Sequence, residues 1–264
     1  MPSRPDFWGK EFGTRFQNQN VADRYHLRTR YPPATFRILA SLITDEPRVL
    51  LDAGSGTGDI ARHMIEYVER IDAIDISIPM MKHGNALPGG NSPKIRWIHG
   101  AIEDTPLKPP YALVTAGQSL HWMDWDIVLP RFANMLTPHG MLAILNAEVV
   151  PTAWSEDLLE ILRRYSTNPT FQPFDMIEEL EKRQLFQKAG EVCTLPLPFE
   201  QAVEDQVEAF HSQSSLSRDH MTSENAAAFD AAMQELLNSH AQNGKITIQV
   251  YGHIVWGKPL GAKQ

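Results

Sequence analysis

Residues 49–58 read Val-Leu-Leu-Asp-Ala-Gly-Ser-Gly-Thr-Gly, and this stretch decides the fold of the 264-residue chain. The apolar run that opens it predicts a buried parallel strand. Gly54, Gly56 and Gly58 allow a tight turn in which backbone approaches a ligand closely, because glycine has no Cβ. Residues 59–64 then begin a helix predicted over 59–68, whose first amides point back at the turn. The stretch therefore predicts a ligand site at the end of a strand.

Short apolar runs alternate with helical patterns on both sides of this stretch. Strands are predicted at 49–53, 70–75, 95–99, 112–116 and 140–146. Such alternation predicts an α/β fold, in which a doubly wound, mostly parallel sheet carries helices on both faces. Ligands of these sheets bind outside the carboxyl ends of the strands.

The second half of the chain is mainly helical in pattern, and no linker or charge run separates it from the first half. We therefore expect one domain over residues 1–264, with later helices forming a cap over the ligand edge. Its expected parts are an N-terminal lid and first helix at 1–45, a cofactor-binding core at 46–150, helices including a substrate cap with one sheet strand at 151–245, and a final strand and tail at 246–264.

Composition limits the classes of partner. The net charge of −8 argues against a nucleic-acid partner, because neutralising phosphates requires clustered Lys and Arg. A single cysteine, Cys193, leaves no internal disulfide and makes a cysteine-rich metal site implausible, so no metal is expected. No apolar run approaches the ~20 residues of a membrane span, and the N-terminus lacks a signal-peptide core. We expect a cytoplasmic monomer or homodimer with no membrane partner.

An acidic residue follows the glycine turn at a suitable distance. Asp75 ends the second predicted strand, 21 residues after Gly54, where a carboxylate can accept hydrogen bonds from both hydroxyls of a ribose. Dinucleotide enzymes, however, place their third glycine five positions after the first. Here Gly58 follows Gly54 by four positions, which disfavours a nucleotide-dependent oxidoreductase.

Four ordered motifs resemble those of class I S-adenosylmethionine-dependent methyltransferases. Residues 52–58 (Asp-Ala-Gly-Ser-Gly-Thr-Gly) resemble the first motif and residues 75–81 (Asp-Ile-Ser-Ile-Pro-Met-Met) the second. Residues 100–107 resemble the adenine-side loop, and residues 118–124 (Gln-Ser-Leu-His-Trp-Met-Asp) the segment after the fourth strand in the small-molecule branch, which includes trans-aconitate and ubiquinone-biosynthesis methyltransferase-like proteins. The resemblance implies a seven-stranded Rossmann-like sheet, an enzyme, and S-adenosylmethionine as cofactor.

The resemblance also implies roles for individual residues. The backbone at Gly54 and Gly56 passes under the methionine moiety, and Asp75 binds the ribose. The remaining implied cofactor contacts are Ile76 on one adenine face, Ile102 near the other, Glu103 in the adenine loop and Gln118 beside the methionine. Ala101 stands where many relatives have an aspartate, which leaves backbone groups or Glu103 to contact the adenine amine.

The segment 25–33 resembles one that folds over the cofactor in this branch, with Thr29 in place of a proline. An arginine can bind a carboxylate through two parallel hydrogen bonds. Arg28 and Arg30 are therefore candidates for binding the cofactor carboxylate.

The acceptor site is less defined by sequence. His121 is the candidate general base, because it follows the fourth strand and a neutral imidazole has a suitable pKa range; the alternative is that it only lines the pocket. The other pocket candidates are Tyr25, Trp122, Trp125, Phe210 and His211.

These patterns predict methyl transfer to a small molecule, with O-methylation of a carboxyl or hydroxyl as the leading hypothesis. N- or C-methylation remains open, and so does a regulator that binds the cofactor without transferring the methyl group.

Overall fold

The computed structural model describes residues 14–168 and 174–261, and in this part of the chain eight strands form one sheet. Their bounds are β1 Val49–Ala53, β2 Arg70–Asp75, β3 Ile95–His99, β4 Tyr111–Gly117, β5 Leu136–Val149, β6 Phe186–Cys193, β7 Leu197–Ala202 and β8 Lys245–Pro259. The strand order is β3-β2-β1-β4-β5-β8-β6, and β7 pairs with β8 beyond this path.

The first five strands run parallel, and β8 runs antiparallel to its neighbours β5, β6 and β7. The chain order reverses between β1 and β4, which makes their carboxyl ends the switch point where such sheets bind ligands. The predicted α/β fold class is confirmed. The sheet has one strand more than the seven expected, because β7 adds to the protruding half of β8.

Helices cover both faces of the sheet. The helices of the described residues are α1 Gln19–Arg24, α2 Pro33–Ser41, α3 Asp59–Met64, α4 Ile78–Ala86, α5 Trp125–Met135, α6 Ser155–Tyr165, α7 Met176–Lys182, α8 Val203–His211 and α9 Ser223–His240. Three-residue 3₁₀ turns lie at Arg15–Gln17, Tyr25–Leu27, Leu120–Trp122 and Arg218–His220. None of these helices is both long and apolar enough to cross a bilayer.

Three apolar cores hold these layers together. Both faces of β1 and β4 are buried, as expected for central parallel strands. One face packs against α5 and α7, and the other packs against α2 and α3. The third core joins α6, α8 and α9 to the protruding half of β8. This last group forms a cap beside the ligand edge of the sheet.

The region 151–245 departs from the expectation of one strand, because it contains both β6 and β7. β7 was missed because its sequence, Leu-Pro-Phe-Glu-Gln-Ala, includes Pro198, a residue confined to edge strands. Among the described residues, this strand pairs with β8 alone, so no second strand lies beside it that would need a hydrogen bond from residue 198.

Candidate active site

The glycine turn connects β1 to α3 at the switch point. Gly54, Gly56 and Gly58 all have positive φ, at 70°, 53° and 69°. A Cβ at Gly54 would lie 2.5 Å from Cβ of Ser119, whereas one at Gly56 would meet only the Tyr25 hydroxyl, at 3.9 Å. Glycine is therefore required at 54 by packing. At position 56, the absence of a side chain leaves the backbone exposed to a cavity, so that a ligand can approach it closely.

Asp75 holds the turn from the end of β2. Its Oδ2 accepts a hydrogen bond from the Gly56 N–H at 2.7 Å, and its Oδ1 accepts one from the Ser77 N–H at 2.7 Å. Burial raises the pKa of Asp75 above its ordinary value, while these backbone N–H groups oppose the increase. Each oxygen keeps a further lone pair, so the carboxylate can still accept hydrogen bonds from ligand hydroxyls.

Asp75 lines a cavity of about 270 Å³, here named the Asp75 cavity. Its apolar walls include Ile76, Met80 and Ile102, which suits a flat, uncharged ring. Glu103 lines it too, and its Oε1 accepts a hydrogen bond from the Asp124 N–H at 3.1 Å. The structure therefore brings together every predicted adenosine-side residue.

A larger cavity of about 570 Å³ lies on the α3 side of the turn and is here named the loop cavity. Arg28, Arg30 and Arg62 line it. Arg62 is engaged by the carbonyl oxygens of Thr57 and Pro88 and by Asp59. Arg30, which is exposed, forms no ion pair within the described part of the chain.

Asp52 also lines the loop cavity, although its place in the sequence predicted no binding role for it. Thr115 donates a hydrogen bond to its Oδ1 at 2.9 Å, but its Oδ2 has no hydrogen-bond partner of normal geometry among the described residues. Burial raises the pKa of Asp52 to about 7, opposed by Thr115 and the backbone N–H of Ala61. A buried carboxylate oxygen without a partner suits a cationic ligand group such as an ammonium. The only sequence signal was an acidic residue two positions before the first glycine.

The buried Asp52 predicts a pH-dependent stability. Its ordinary pKa of 3.8 rises to about 7 in the folded protein, so between these values the unfolded chain releases a proton that the folded chain keeps. The free energy of unfolding of the wild type should therefore fall, relative to Asp52→Asn, by about 1.4 kcal/mol per pH unit as the pH rises towards 7, and then level off. Urea unfolding at pH 5.5, 6.5, 7.5 and 8.5 measures this difference.

Thr115→Val is the matched control for this prediction. It removes the hydrogen bond that favours the ionised Asp52, so the decline should continue to a higher pH than in the wild type. Parallel curves for the wild type and Asp52→Asn would contradict the assignment of a raised pKa to this carboxyl.

A third cavity, of about 280 Å³, lies between the sheet edge and the cap and is here named the cap cavity. Its lining is Phe16, Arg28, Gln118, His121, Trp122, Asn146, Asn168, Gln213, Ser214 and Ser215. The ring of His121 lies 4.3 Å from that of Trp122, centroid to centroid. Gln118 has a positive φ of 50°, donates through Nε2 to the Ala147 carbonyl at 3.3 Å, and lines all three cavities.

The N-terminal segment, residues 15–27, closes one side of these cavities. Phe16 and Tyr25 line the Asp75 cavity, and the carbonyl of Phe16 accepts a hydrogen bond from the Ser77 hydroxyl at 2.7 Å. Arg24 pairs with Glu208 of α8 at 2.5 Å. Arg218 and Arg24 lower the pKa of Glu208 to about 2, so this ion pair persists at ordinary pH.

The structure corrects three of the predicted pocket residues, which are buried in apolar cores. Trp125 is 1% exposed, and its indole N–H donates to the Leu120 carbonyl at 2.9 Å. Phe210 packs edge-to-face against Phe229 in the core of the cap. His211 is also buried, with Nδ1 2.7 Å from the Leu216 carbonyl and Nε2 2.6 Å from Asp230. The prediction that these three side chains line the acceptor pocket was wrong.

Tyr25 differs from its predicted position in another way. It lines the loop and Asp75 cavities rather than the cap cavity, so it borders the cofactor region. Among the described residues, no group of three or more His, Cys, Asp or Glu side chains is arranged to hold a metal ion.

Comparisons with known proteins agree with this geometry. Residues 50–140 match the family described as "Methyltransferase domain". A malonyl-[acyl-carrier protein] O-methyltransferase from Halalkalibacterium halodurans is 30% identical over 105 residues, which is 37% of this chain and 38% of that protein. An uncharacterized methyltransferase from Mycobacterium tuberculosis is 28% identical over 139 residues, 52% of this chain and 54% of that protein. The matches thus span about half or less of these relatives.

Solved structures show the same fold. A candidate Type II methyltransferase from Anaeromyxobacter dehalogenans superimposes with a TM-score of 0.60 at 21% identity, covering 89% of this chain and 99% of that one. A methyltransferase candidate from Bacillus halodurans gives a TM-score of 0.54 at 14% identity, covering 86% and 100%. The predicted resemblance to class I methyltransferases is confirmed, and with it S-adenosylmethionine as the cofactor of this domain.

Proposed function

We propose that this chain transfers the methyl group of S-adenosylmethionine to an oxygen atom of a small molecule. The observation that carries the proposal is the junction between the Asp75 cavity and the cap cavity. These two cavities share Phe16, Arg28, Gln118 and Trp122. A cofactor in the first and an acceptor in the second would meet at these four residues, which is the arrangement that a direct transfer requires.

The residues on the cofactor side fit S-adenosylmethionine. When bound, the cofactor supplies a methyl group on a positively charged sulfur, and transfer forms an O–C bond while the C–S bond breaks with its electron pair left on sulfur. Asp75 would accept hydrogen bonds from the ribose, and Ile76 and Ile102 would enclose the adenine. The Asp52 oxygen that has no hydrogen bond of normal geometry among the described residues would balance the ammonium of the methionine moiety.

The residues on the acceptor side orient the acceptor and exclude water. Phe16 and Trp122 form a tilted aromatic pair with centroids 5.8 Å apart, and both line the junction. His121 lines the cap cavity and not the Asp75 cavity, so it lies on the acceptor side of the junction. We assign it the role of general base, which accepts the proton of an acceptor hydroxyl as the O–C bond forms.

A small acceptor is supported by the size of the cap cavity, about 280 Å³, which matches a small metabolite. The choice of oxygen rests on weaker support: one curated relative is named as an O-methyltransferase of a malonyl group on acyl carrier protein. In the same proposal, residues 1–45 comprise a lid and the first helix, 46–150 bind the cofactor, the helices within 151–245 shape the acceptor site, and 246–264 supply the final strand and tail.

Turnover of methyl-labelled S-adenosylmethionine against a metabolite panel tests this function. Transfer of label to an oxygen of a small molecule is the expected result. Label on nitrogen or carbon would contradict O-methylation, and tight cofactor binding without any transfer would favour a regulator. Mass spectrometry of ligand released from the purified protein is the companion measurement, in which a nicotinamide dinucleotide would contradict the proposal.

A further inference from the structure

The three cavities differ in whether carboxylates line them. Asp52 and Asp59 line the loop cavity, and Asp75 and Glu103 line the Asp75 cavity. Among the described residues, no carboxylate lines the cap cavity, and Arg28 is its one permanently charged side chain. The region assigned to the cofactor thus contains both carboxylates and arginines, whereas the described lining of the acceptor region is neutral to positive. This asymmetry favours an acceptor with a negative charge.

Among the described residues, Arg28 has no ion-pair partner, although it is half-buried. Within the described part of the chain, its guanidinium forms no ion pair, and its one close ring contact is Tyr25, with the centroid 5.0 Å away. A partly desolvated cation without a counter-ion is unfavourable until a ligand supplies one. The planar guanidinium matches the two oxygens of a carboxylate, and stacking on Tyr25 limits its freedom to turn away.

Two amides of the cap cavity also have no hydrogen-bond partner in the part of the chain that the structure describes. Asn146 of β5 and Gln213 in the cap line the cavity, and neither side chain forms a hydrogen bond within the described residues. Each amide offers two N–H donors. Together with Arg28, they provide donors on two sides of one small space.

We infer that the methyl acceptor carries a carboxylate, bound by Arg28 with the amides of Asn146 and Gln213. This inference rests on the proposed function and adds the chemical class of the acceptor. It also divides the two arginines first expected to serve the cofactor. Arg30 lines the loop cavity and neither of the other two cavities, so it remains the partner for the cofactor carboxylate. Arg28 lines the loop cavity as well, but it also lines both cavities that meet at the junction with the acceptor.

Matched pairs of small molecules test the inference without requiring turnover. Full-length protein saturated with S-adenosylhomocysteine is titrated with 4-hydroxybenzoate and 4-hydroxybenzamide, lactate and lactamide, and succinate and succinamide, with binding followed by NMR. In at least one pair the carboxylate should bind about tenfold or more tightly than its amide, and Arg28→Gln should bring the two within twofold. Arg28→Lys should keep part of the preference, because it keeps the charge but not the paired donors.

Arg30→Gln, two residues away, is the matched control. It should leave the carboxylate preference intact and weaken binding of S-adenosylmethionine by a few fold. The inference is overturned if no carboxylate is preferred by the wild type, or if the preference survives in Arg28→Gln. It is also overturned if Arg28→Gln weakens S-adenosylmethionine binding tenfold and leaves the preference unchanged.

Two further measurements keep the outcomes separate. Should Arg28→Gln lose its thermal transition, Asn146→Leu and Gln213→Leu replace it, and each should lower carboxylate affinity about threefold to tenfold. Calorimetric binding of S-adenosylmethionine to the same samples tests the proposed function by itself. A wild type that binds the cofactor normally but shows no carboxylate preference contradicts only this inference, whereas a wild type that fails to bind the cofactor contradicts the proposed function.

Discussion

Asp75→Ala is expected to weaken the binding of S-adenosylmethionine by about 10- to 150-fold. The substitution removes the acceptor for the ribose hydroxyls, and hydrogen bonds to a charged group contribute about 1.5–3 kcal/mol, which corresponds to this range. It also leaves the N–H groups of Gly56 and Ser77, each 2.7 Å from the carboxylate, without their partner. Isothermal titration calorimetry of purified wild type and variant measures the effect.

Asp72→Asn is the control for Asp75→Ala. Asp72 lies on the same strand and is fully buried, where it accepts a hydrogen bond from the Tyr111 hydroxyl at 2.6 Å and pairs with Arg96. Its replacement should lower the midpoint of thermal unfolding but leave the dissociation constant of the cofactor unchanged. An Asp75→Ala variant that folds and binds S-adenosylmethionine with wild-type affinity would refute the ribose assignment.

His121→Ala is expected to lower kcat by about 10²- to 10⁴-fold for an acceptor hydroxyl, with cofactor affinity retained. General-base catalysis contributes an effect of this size, and His121 lines the cap cavity rather than either cavity on the cofactor side. His121→Gln should be as slow as His121→Ala, since an amide donates and accepts hydrogen bonds but does not take up the proton. Single-turnover kinetics with bound cofactor isolates the chemical step.

His220→Ala provides the comparison for this second prediction. His220 is exposed on a 3₁₀ turn of the cap, so its loss should leave kcat unchanged. A near-wild-type rate for His121→Ala would reduce His121 to a wall of the pocket. That result would point to an acceptor group that needs no deprotonation, such as a carboxylate.

The cofactor side of the site was accessible from sequence because its signals are local. Positive φ at Gly54, Gly56 and Gly58 requires residues that tolerate it, and glycine is the one that does so at little cost. The position of Asp75 follows from the length of its strand. Since parallel strands end at one edge, a residue placed at a strand end is also placed in the site.

The acceptor side depended on contacts that no local pattern encodes. His211 and Phe210 sit in a helix whose period shows that one face is buried, but not whether that face meets a pocket or a core. His211 is satisfied by Asp230, 19 residues later, and the hydroxyl beside Asp52 comes from Thr115, 63 residues later. Such pairings arise only when distant segments pack together.

The salt bridge between Arg24 and Glu208 has a consequence for kinetics. The N-terminal segment borders the Asp75 cavity and is fastened to the cap, with Arg15 also donating to the Ser214 carbonyl at 3.0 Å. A cofactor molecule that enters or leaves through this side requires the N-terminal segment to separate from the cap first. Added salt screens partly exposed ion pairs and should therefore weaken the pair of Arg24 and Glu208. We expect salt to shorten the residence time of the bound cofactor by more than the screening of the cofactor's own charges would predict.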